Sequence, residues 1–223
     1  MAIEPEFLKT ACYFRRLAPA ALAEVSHFLF EKKPPAAEYI LWEGEKDGVL
    51  YFVIKGLVKL FTTSTEGREF IARLAYGGDS FNDEGVFDQG QNTFSAITMS
   101  PAVLYGLRYE DLAPILAKHP EVSPAMAEVF ATRQRYFSQL AVELVFKSAT
   151  GRLAQLLLDR EKMIRAGAGE QKITQQEMAG MIGTVREIVG RSLKDLEEQG
   201  AIRLEHGRII IKDSVKLRGL SGV

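Results

Sequence analysis

The stretch ITQQEMAGMIGTVREIVGRSLKDLEEQGAI, residues 173–202, decides how this chain reads. Thr174 is followed three residues later by Glu177, the spacing of a capping box at a helix start. A glycine-bearing turn leads into a second helical pattern that ends on Gly200. At about 100° per residue, Ile188, Val189, Ser192, Leu193 and Leu196 fall on one arc of about 140°. Arg186, Glu187, Gly190, Arg191 and Lys194 fall on the other side. One face docks; the other shows cations, one acid and a glycine. Gly inside a helix costs about 1 kcal/mol relative to Ala, so Gly190 calls for a reason such as close approach to another surface.

A helix fits the major groove of B-DNA, where Arg bonds both acceptors of guanine and Glu accepts from the cytosine amine. Glu187 among cations suits base reading better than a pure phosphate site. The alternative is a solvated face in which Glu187 and Arg191, four apart, simply pair. AIRLEHGRIIIKD follows, two strand-like runs around His206-Gly207. Two short helices and a hairpin make a winged helix-turn-helix.

The rest of the chain changes texture twice. Residues 5–30 read as helical through Phe7, Leu8, Phe14, Leu17, Leu22, Val25 and Leu29, until Pro34-Pro35. From Tyr39 to Leu107 short apolar or alternating runs lie between glycine-bearing turns, the pattern of a sandwich or barrel. Helical texture returns at Tyr109. From Pro124 to about Val145 a long helix carries Met126, Val129, Phe130, Phe137, Leu140, Leu144 and Val145 as an apolar stripe. It either pairs with a copy of itself or packs on its own barrel. RLAQLLLDREKMIRAG, before GAGE, reads as a further helix.

Composition fits an intracellular protein. The 223 residues are 47% hydrophobic with net charge −1. Residues 146–223 hold 14 Lys+Arg and 10 Asp+Glu, a net of +4; residues 1–145 hold 14 and 19, a net of −5. The basic part is the one suited to a polyanion. There is no apolar run of membrane-spanning length, no secretory pattern at the start, and one cysteine, Cys12. A cytoplasmic location is expected. A single cysteine excludes an internal disulfide and a four-cysteine iron–sulfur cluster. No nucleophile elbow, Walker loop or HExxH is present, and the acids Asp79, Asp83, Glu84 and Asp88 spread over a turn-rich loop, so no enzyme is expected.

Barrel, long helix and winged helix-turn-helix in that order resemble the cyclic-AMP receptor protein / fumarate–nitrate regulator (Crp/Fnr) family of bacterial transcription factors. YILWEGEKDGVLYFVIKGLVKLF and EGREFIARLAYGGDSF resemble its glycine-turned strands, SATGRLAQLLL its hinge and first DNA-domain helix, and ITQQEMAGMIGTVREIVGRSLKDLEEQGAI its recognition unit. The resemblance implies an α+β fold: a cyclic-nucleotide-binding-like β-barrel (jelly roll) over 1–123, a dimerisation helix over 124–146, and a winged helix-turn-helix over 147–223. It implies a homodimer on double-stranded DNA, with RNA polymerase as a further partner and no membrane. Arg186, Glu187 and Arg191 match the Arg-Glu-Arg pattern of members that prefer TGTGA-like inverted repeats. Thr174 and Gln175 match positions that hold the DNA backbone, and Lys194 shares the cationic face.

The resemblance weakens at the effector. In GDSFNDEGVFDQGQNTFSA the family's Gly-Glu pair falls on Asn82-Asp83 and its Arg-Ser pair on Thr93-Phe94. That leaves no arginine to meet a phosphate, and Phe94 crowds the site. Positions that meet adenine in the family fall on Phe137 and Ser138, and Phe137 suits pocket lining or dimer core. Poor cyclic-AMP binding is expected, with a neutral or apolar effector, or none. A haem-based gas sensor or a cyclic-nucleotide-responsive regulator is the alternative. Its candidate ligands, Cys12, His27, His119 and His206, show no distinctive spacing, and neither metal nor cofactor is expected.

Overall fold

The computed structural model describes residues 5–165, 172–205 and 207–222, without the side chain of Phe7. The glycine-rich GAGE at 167–170, His206 and the Phe7 side chain therefore lie outside the described residues. The chain divides into two compact units, Met1–Thr63 with Ala72–Gln134, and Ser64–Ile71 with Arg135–Val223.

The first unit begins with α1 (Pro5–Leu8) and α2 (Pro19–Ser26). The continuous helix expected over 5–30 is not formed. Residues 9–18 turn instead. The Cys12 amide donates to the Gly78 carbonyl at 3.2 Å, where a helix would bond back within itself. Pro19 opens α2 without needing an N–H partner. The turning geometry lets Leu8, Ala11, Tyr13, Phe14 and Leu17 all reach the interior. Leu29 starts a strand rather than ending a helix.

Eight strands follow: β1 (Leu29–Lys32), β2 (Tyr39–Leu41), β3 (Val49–Lys55), β4 (Val58–Thr63), β5 (Glu69–Ala75), β6 (Ser80–Phe81), β7 (Ser95–Thr98) and β8 (Val103–Arg108). They form two four-stranded sheets, ordered β1-β8-β3-β6 and β2-β7-β4-β5. β3 explains its unbroken apolar run. Val49, Tyr51 and Val53 face the core between the sheets, with Leu60, Ala96 and Leu104. Leu50 and Phe52 face the opposite way, into a second core under the helices, with Phe14, Leu22, Leu107 and Ile115. A strand covered on both faces has no polar alternation to show.

Between β6 and β7 lies α3 (Asp83–Phe87), a short helix within the segment read from sequence as a turn-rich loop. α4 (Tyr109–Lys118) then leads into α5 (Val122–Phe146), the long helix. Met126 is buried and Val129 packs beside it on the helix-covered core. Towards its end, α5 leaves Val142, Val145 and Phe146 exposed, Phe146 by 81%. The first part of α5 thus packs on the barrel, and the apolar side chains near its end are exposed.

The second unit holds α6 (Ala149–Arg165), α7 (Gln175–Ile182), α8 (Arg186–Glu198), β9 (Ile202–Glu205), β10 (Arg208–Ile211) and α9 (Ser214–Leu220). β9 and β10 pair antiparallel, with Ile202 opposite Ile211. α9, absent from the sequence reading, is capped by Asp213, whose carboxylate accepts from the Val215 and Lys216 amides at 3.0 and 2.9 Å.

Candidate nucleic-acid interface and effector pocket

The expected capping box is formed. Thr174 Oγ1 accepts from the Glu177 amide at 3.2 Å, and Glu177 Oε2 accepts from the Thr174 amide at 2.7 Å. This fixes the first turn of α7. Gly183 ends α7 with φ 63, and a side chain there would meet Leu144 Cδ2 at 2.7 Å. Left-handed backbone and lack of space both require glycine at this turn. The helix expected over 183–200 is shorter at both ends, because Gly183 and Thr184 form the turn and Val185 is the N-cap.

α8 docks through Val189, Leu193 and Leu196, all buried. Buried Ser192 bonds its hydroxyl to that of Thr150 on α6 at 2.8 Å. Leu204 of the wing donates its amide to Glu197 Oε1 at 2.6 Å, tying β9 to α8. Arg186, Glu187, Arg191 and Lys194 all lie exposed on the opposite face, and Thr174 and Gln175 are exposed at the start of α7. Among the described residues no ion pair joins Glu187 to Arg191; on the wing, Arg203 pairs with Glu205. A side chain at Gly190 would meet only Gln175 Oε1, at 3.7 Å. The fold therefore has room for alanine at 190, and the glycine answers no internal demand.

In the first unit, the cassette residues separate into two groups. Asn82 takes a left-handed φ of 65, which asparagine tolerates better than most residues. Its Nδ2 donates to the Val49 carbonyl at 3.0 Å, and Asn92 Nδ2 does the same to Trp42 at 3.0 Å. These amides stitch the cassette to the barrel. Thr93 is exposed, and Phe94 packs against the core between the sheets. Phe137 and Ser138 lie on the part of α5 that belongs to the second unit, Phe137 half-buried with its ring edge-on to Tyr136 at 5.3 Å.

Asp83 sits in a polar cluster that spacing within the cassette did not reveal. Its carboxylate is fully buried and accepts from Ser80 Oγ at 2.9 Å, from the Tyr13 hydroxyl and from Arg133 of α5. Arg133 Nη2 also donates to the Ser80 carbonyl and hydroxyl, both at 2.7 Å. Arg73 of β5 donates to the same Ser80 carbonyl. The expectation that no arginine stands in this region is corrected. Two arginines reach it from β5 and α5, positions too distant in sequence for a local motif. Burial, and next the charge of Asp83, push the Tyr13 hydroxyl well above its ordinary pKa. Burial likewise lowers Arg73, helped by the like charge of Arg133. Cys12 Sγ lies 3.4 Å from Ser80 Oγ, and burial raises its thiol pKa.

The haem-ligand candidates among the described residues are dispersed. His27 is exposed, His119 holds Glu24 Oε2 at 3.0 Å through Nε2, and Cys12 faces Ser80. Among the described residues no group of three or more His, Cys, Asp or Glu forms a metal cluster, and no helix is long and apolar enough to cross a membrane.

Comparison with known proteins bears on both units. A Crp-like helix-turn-helix domain matches residues 151–220, and a cyclic nucleotide-binding domain matches residues 31–119. A CRP-like cAMP-activated global transcriptional regulator of Mycobacterium tuberculosis is 30% identical over 217 residues, covering 95% of this chain and 97% of that protein. The cAMP-activated global transcriptional regulator CRP of Pasteurella multocida is 35% identical over 184 residues, 80% of this chain and 88% of that one. The solved structure of Thermus thermophilus catabolite activator protein is 29% identical with a TM-score of 0.57, covering 95% of this chain and 98% of that chain. With both domain types present in this order, and relatives matched along almost the whole length, the chain belongs to the Crp/Fnr family of DNA-binding transcription regulators.

Proposed function

We propose that this regulator reads an inverted repeat of TGTGA-like half-sites as a homodimer, with an effector other than cyclic AMP or none. The observation that carries the reading is the outer face of α8. Its three cations and one acid are exposed, lack ion pairs with one another among the described residues, and surround a glycine that the fold itself does not need. Arg186, Glu187 and Arg191 meet base edges, Lys194 meets phosphate, and Thr174 and Gln175 hold the backbone. The exposed apolar face at Val142, Val145 and Phe146 supports pairing of two long helices. Half-sites about 34 Å apart then match the two-fold symmetry.

The relatives named above are cAMP-activated by name. This chain departs from the family's cassette pattern at Thr93, which is exposed, and at Phe94, which is partly buried against the barrel core. The regulator acts in the cytoplasm, and RNA polymerase is its further partner. The test is fluorescence anisotropy on a duplex with two TGTGA-type half-sites, against a scrambled duplex at fixed salt, with and without cyclic AMP. Specific binding that cyclic AMP leaves unchanged supports the reading. Binding that appears only with cyclic AMP overturns the effector part, and equal affinity for both duplexes overturns the half-site assignment.

A further inference from the structure

Arg152, in the first turn of α6, holds two main-chain carbonyls at once. Its Nε donates to the Ile182 carbonyl at 2.7 Å, and its Nη1 to the Lys147 carbonyl at 2.6 Å. Ile182 is the last residue of α7, and Lys147 directly follows the last residue of α5. Both carbonyls stand at helix C-termini, where backbone oxygens lack partners within the helix and carry partial negative charge. A planar guanidinium between them suits both and fixes their separation, as a flexible ammonium would not. A close apolar approach joins the same two places. Leu144 of α5 lies so near the turn after Ile182 that a Cβ at Gly183 would stand 2.7 Å from its Cδ2. Lys147 Nζ also pairs with Glu143 at 3.1 Å, across the last turn of α5. α5 from Arg135 onward, α6 and α7 all belong to the second unit, so these contacts lie inside one compact body.

We infer that Arg152 is a positioning residue that sets the separation of the two recognition helices, and so the half-site spacing the dimer accepts. This role rests on the reading above, in which α5 pairs two copies and α8 enters the groove. Gly183, Thr184 and Val185 are all that separate Ile182 from Arg186, the first residue of α8. The clamp therefore ties the end of the pairing helix to the start of the reading helix. Arg152 meets no base itself; it acts through the place it gives Arg186. Lys147 and Ser148 belong to neither α5 nor α6, so without the clamp the reading helix would be free to swing about that break. One base pair more between half-sites moves the second by about 3.4 Å and turns it by about 35°. A dimer held at this corner meets one spacing well, and a loosened dimer tolerates several.

The test uses the full chain in fluorescence anisotropy at fixed salt. The duplexes carry two TGTGA-type half-sites whose spacing is stepped by single base pairs, and one further duplex carries a single half-site. Wild-type protein should prefer one spacing sharply. Arg152→Gln should shrink that preference by about tenfold, the worth of a hydrogen bond to a charged group. It should do so by weakening the best spacing and sparing its neighbours, with single half-site affinity unchanged. Arg152→Lys keeps the charge but reaches one carbonyl at a time, so it should restore the preference only in part. If circular dichroism shows Arg152→Gln unfolded, the lysine variant carries the test alone. A merely structural role lowers affinity by the same factor on every duplex and leaves the preference intact; that result overturns the inference. Equal loss on the single half-site duplex, or unfolding of both variants, overturns it as well. Wild-type protein indifferent to spacing would instead sink the inverted-repeat reading itself, and the role of Arg152 with it. A selective wild type with an equally selective variant removes the role of Arg152 alone.

Discussion

Arg133 on the long helix α5 donates to the fully buried carboxylate of Asp83 at the start of α3, across 50 residues of sequence. The bond joins the helix to the segment where the family places its ligand cassette. Removing one partner of a buried pair leaves the other uncompensated. Arg133→Leu should therefore destabilise the first unit by about 3–5 kcal/mol, read as a lower urea midpoint. A loss below about 1 kcal/mol would mean that Tyr13 and Ser80 alone satisfy Asp83.

Most of the fold was legible because its elements carry their own signals. The capping box at Thr174 and Glu177 and the apolar arc of α8 are local, and both form as read. The helix over 5–30 was not legible. Its apolar residues follow helical spacing, yet they are buried by a turning segment that bonds to Gly78 instead of itself. Period alone cannot tell a helix from a turn whose side chains happen to converge. The polar cluster around Asp83 shows the same limit. Asn82 and Asp83 were visible as cassette positions, whereas Tyr13, Arg73 and Arg133 arrive from three other elements and have no common motif.

Gly190 separates folding from function. A Cβ there would make only an ordinary contact, with Gln175 Oε1 at 3.7 Å, so Gly190→Ala should be tolerated and should stabilise α8 by about 1 kcal/mol through helix propensity alone. Specific DNA affinity should nevertheless fall, because the added methyl group stands on the face that approaches the groove. Thermal melting and anisotropy on one preparation check both signs. Higher stability with undiminished DNA affinity would remove the close-approach role of the glycine.

Thr174→Ala removes the side-chain arm of the capping box. The Glu177 amide loses its acceptor, and the Glu177 carboxylate keeps only the Thr174 main-chain donor. The expected cost is about 1 kcal/mol. Faster amide exchange should be concentrated in the first turn of α7. Uniform acceleration across the second unit would assign the effect to global stability instead.

The thiol of Cys12 offers a pH test of the polar cluster. Burial raises its pKa above the ordinary thiol value, with the Ser80 bond opposing the shift. The thiolate is the reactive form, so alkylation at neutral pH should be slower than for a free thiol and should keep rising where a free thiol has levelled off. Because the folded pKa is the raised one, the protonated thiol is the form the fold favours. Its contribution to stability is present below the unfolded pKa and is lost as pH climbs towards the folded value. A rate profile that matches a free thiol would place Cys12 outside the buried cluster.

Arg186 and Lys194 share a face but should fail differently. Arg186 lies in the first turn of α8, where side chains reach base edges. Arg186→Ala should cost about 1–3 kcal/mol on a TGTGA-type duplex and relax preference at one base pair. Lys194, two turns further along, meets phosphate in this reading. Lys194→Ala should weaken binding nearly equally on specific and scrambled duplexes, and should lower the salt slope by about 1. Anisotropy over a salt series, with a panel of single base-pair changes, reads both effects at once. A uniform loss for Arg186→Ala with specificity intact would make it a phosphate contact. A sequence-selective loss for Lys194→Ala would move base reading further along the helix and shift the assumed register of α8 in the groove.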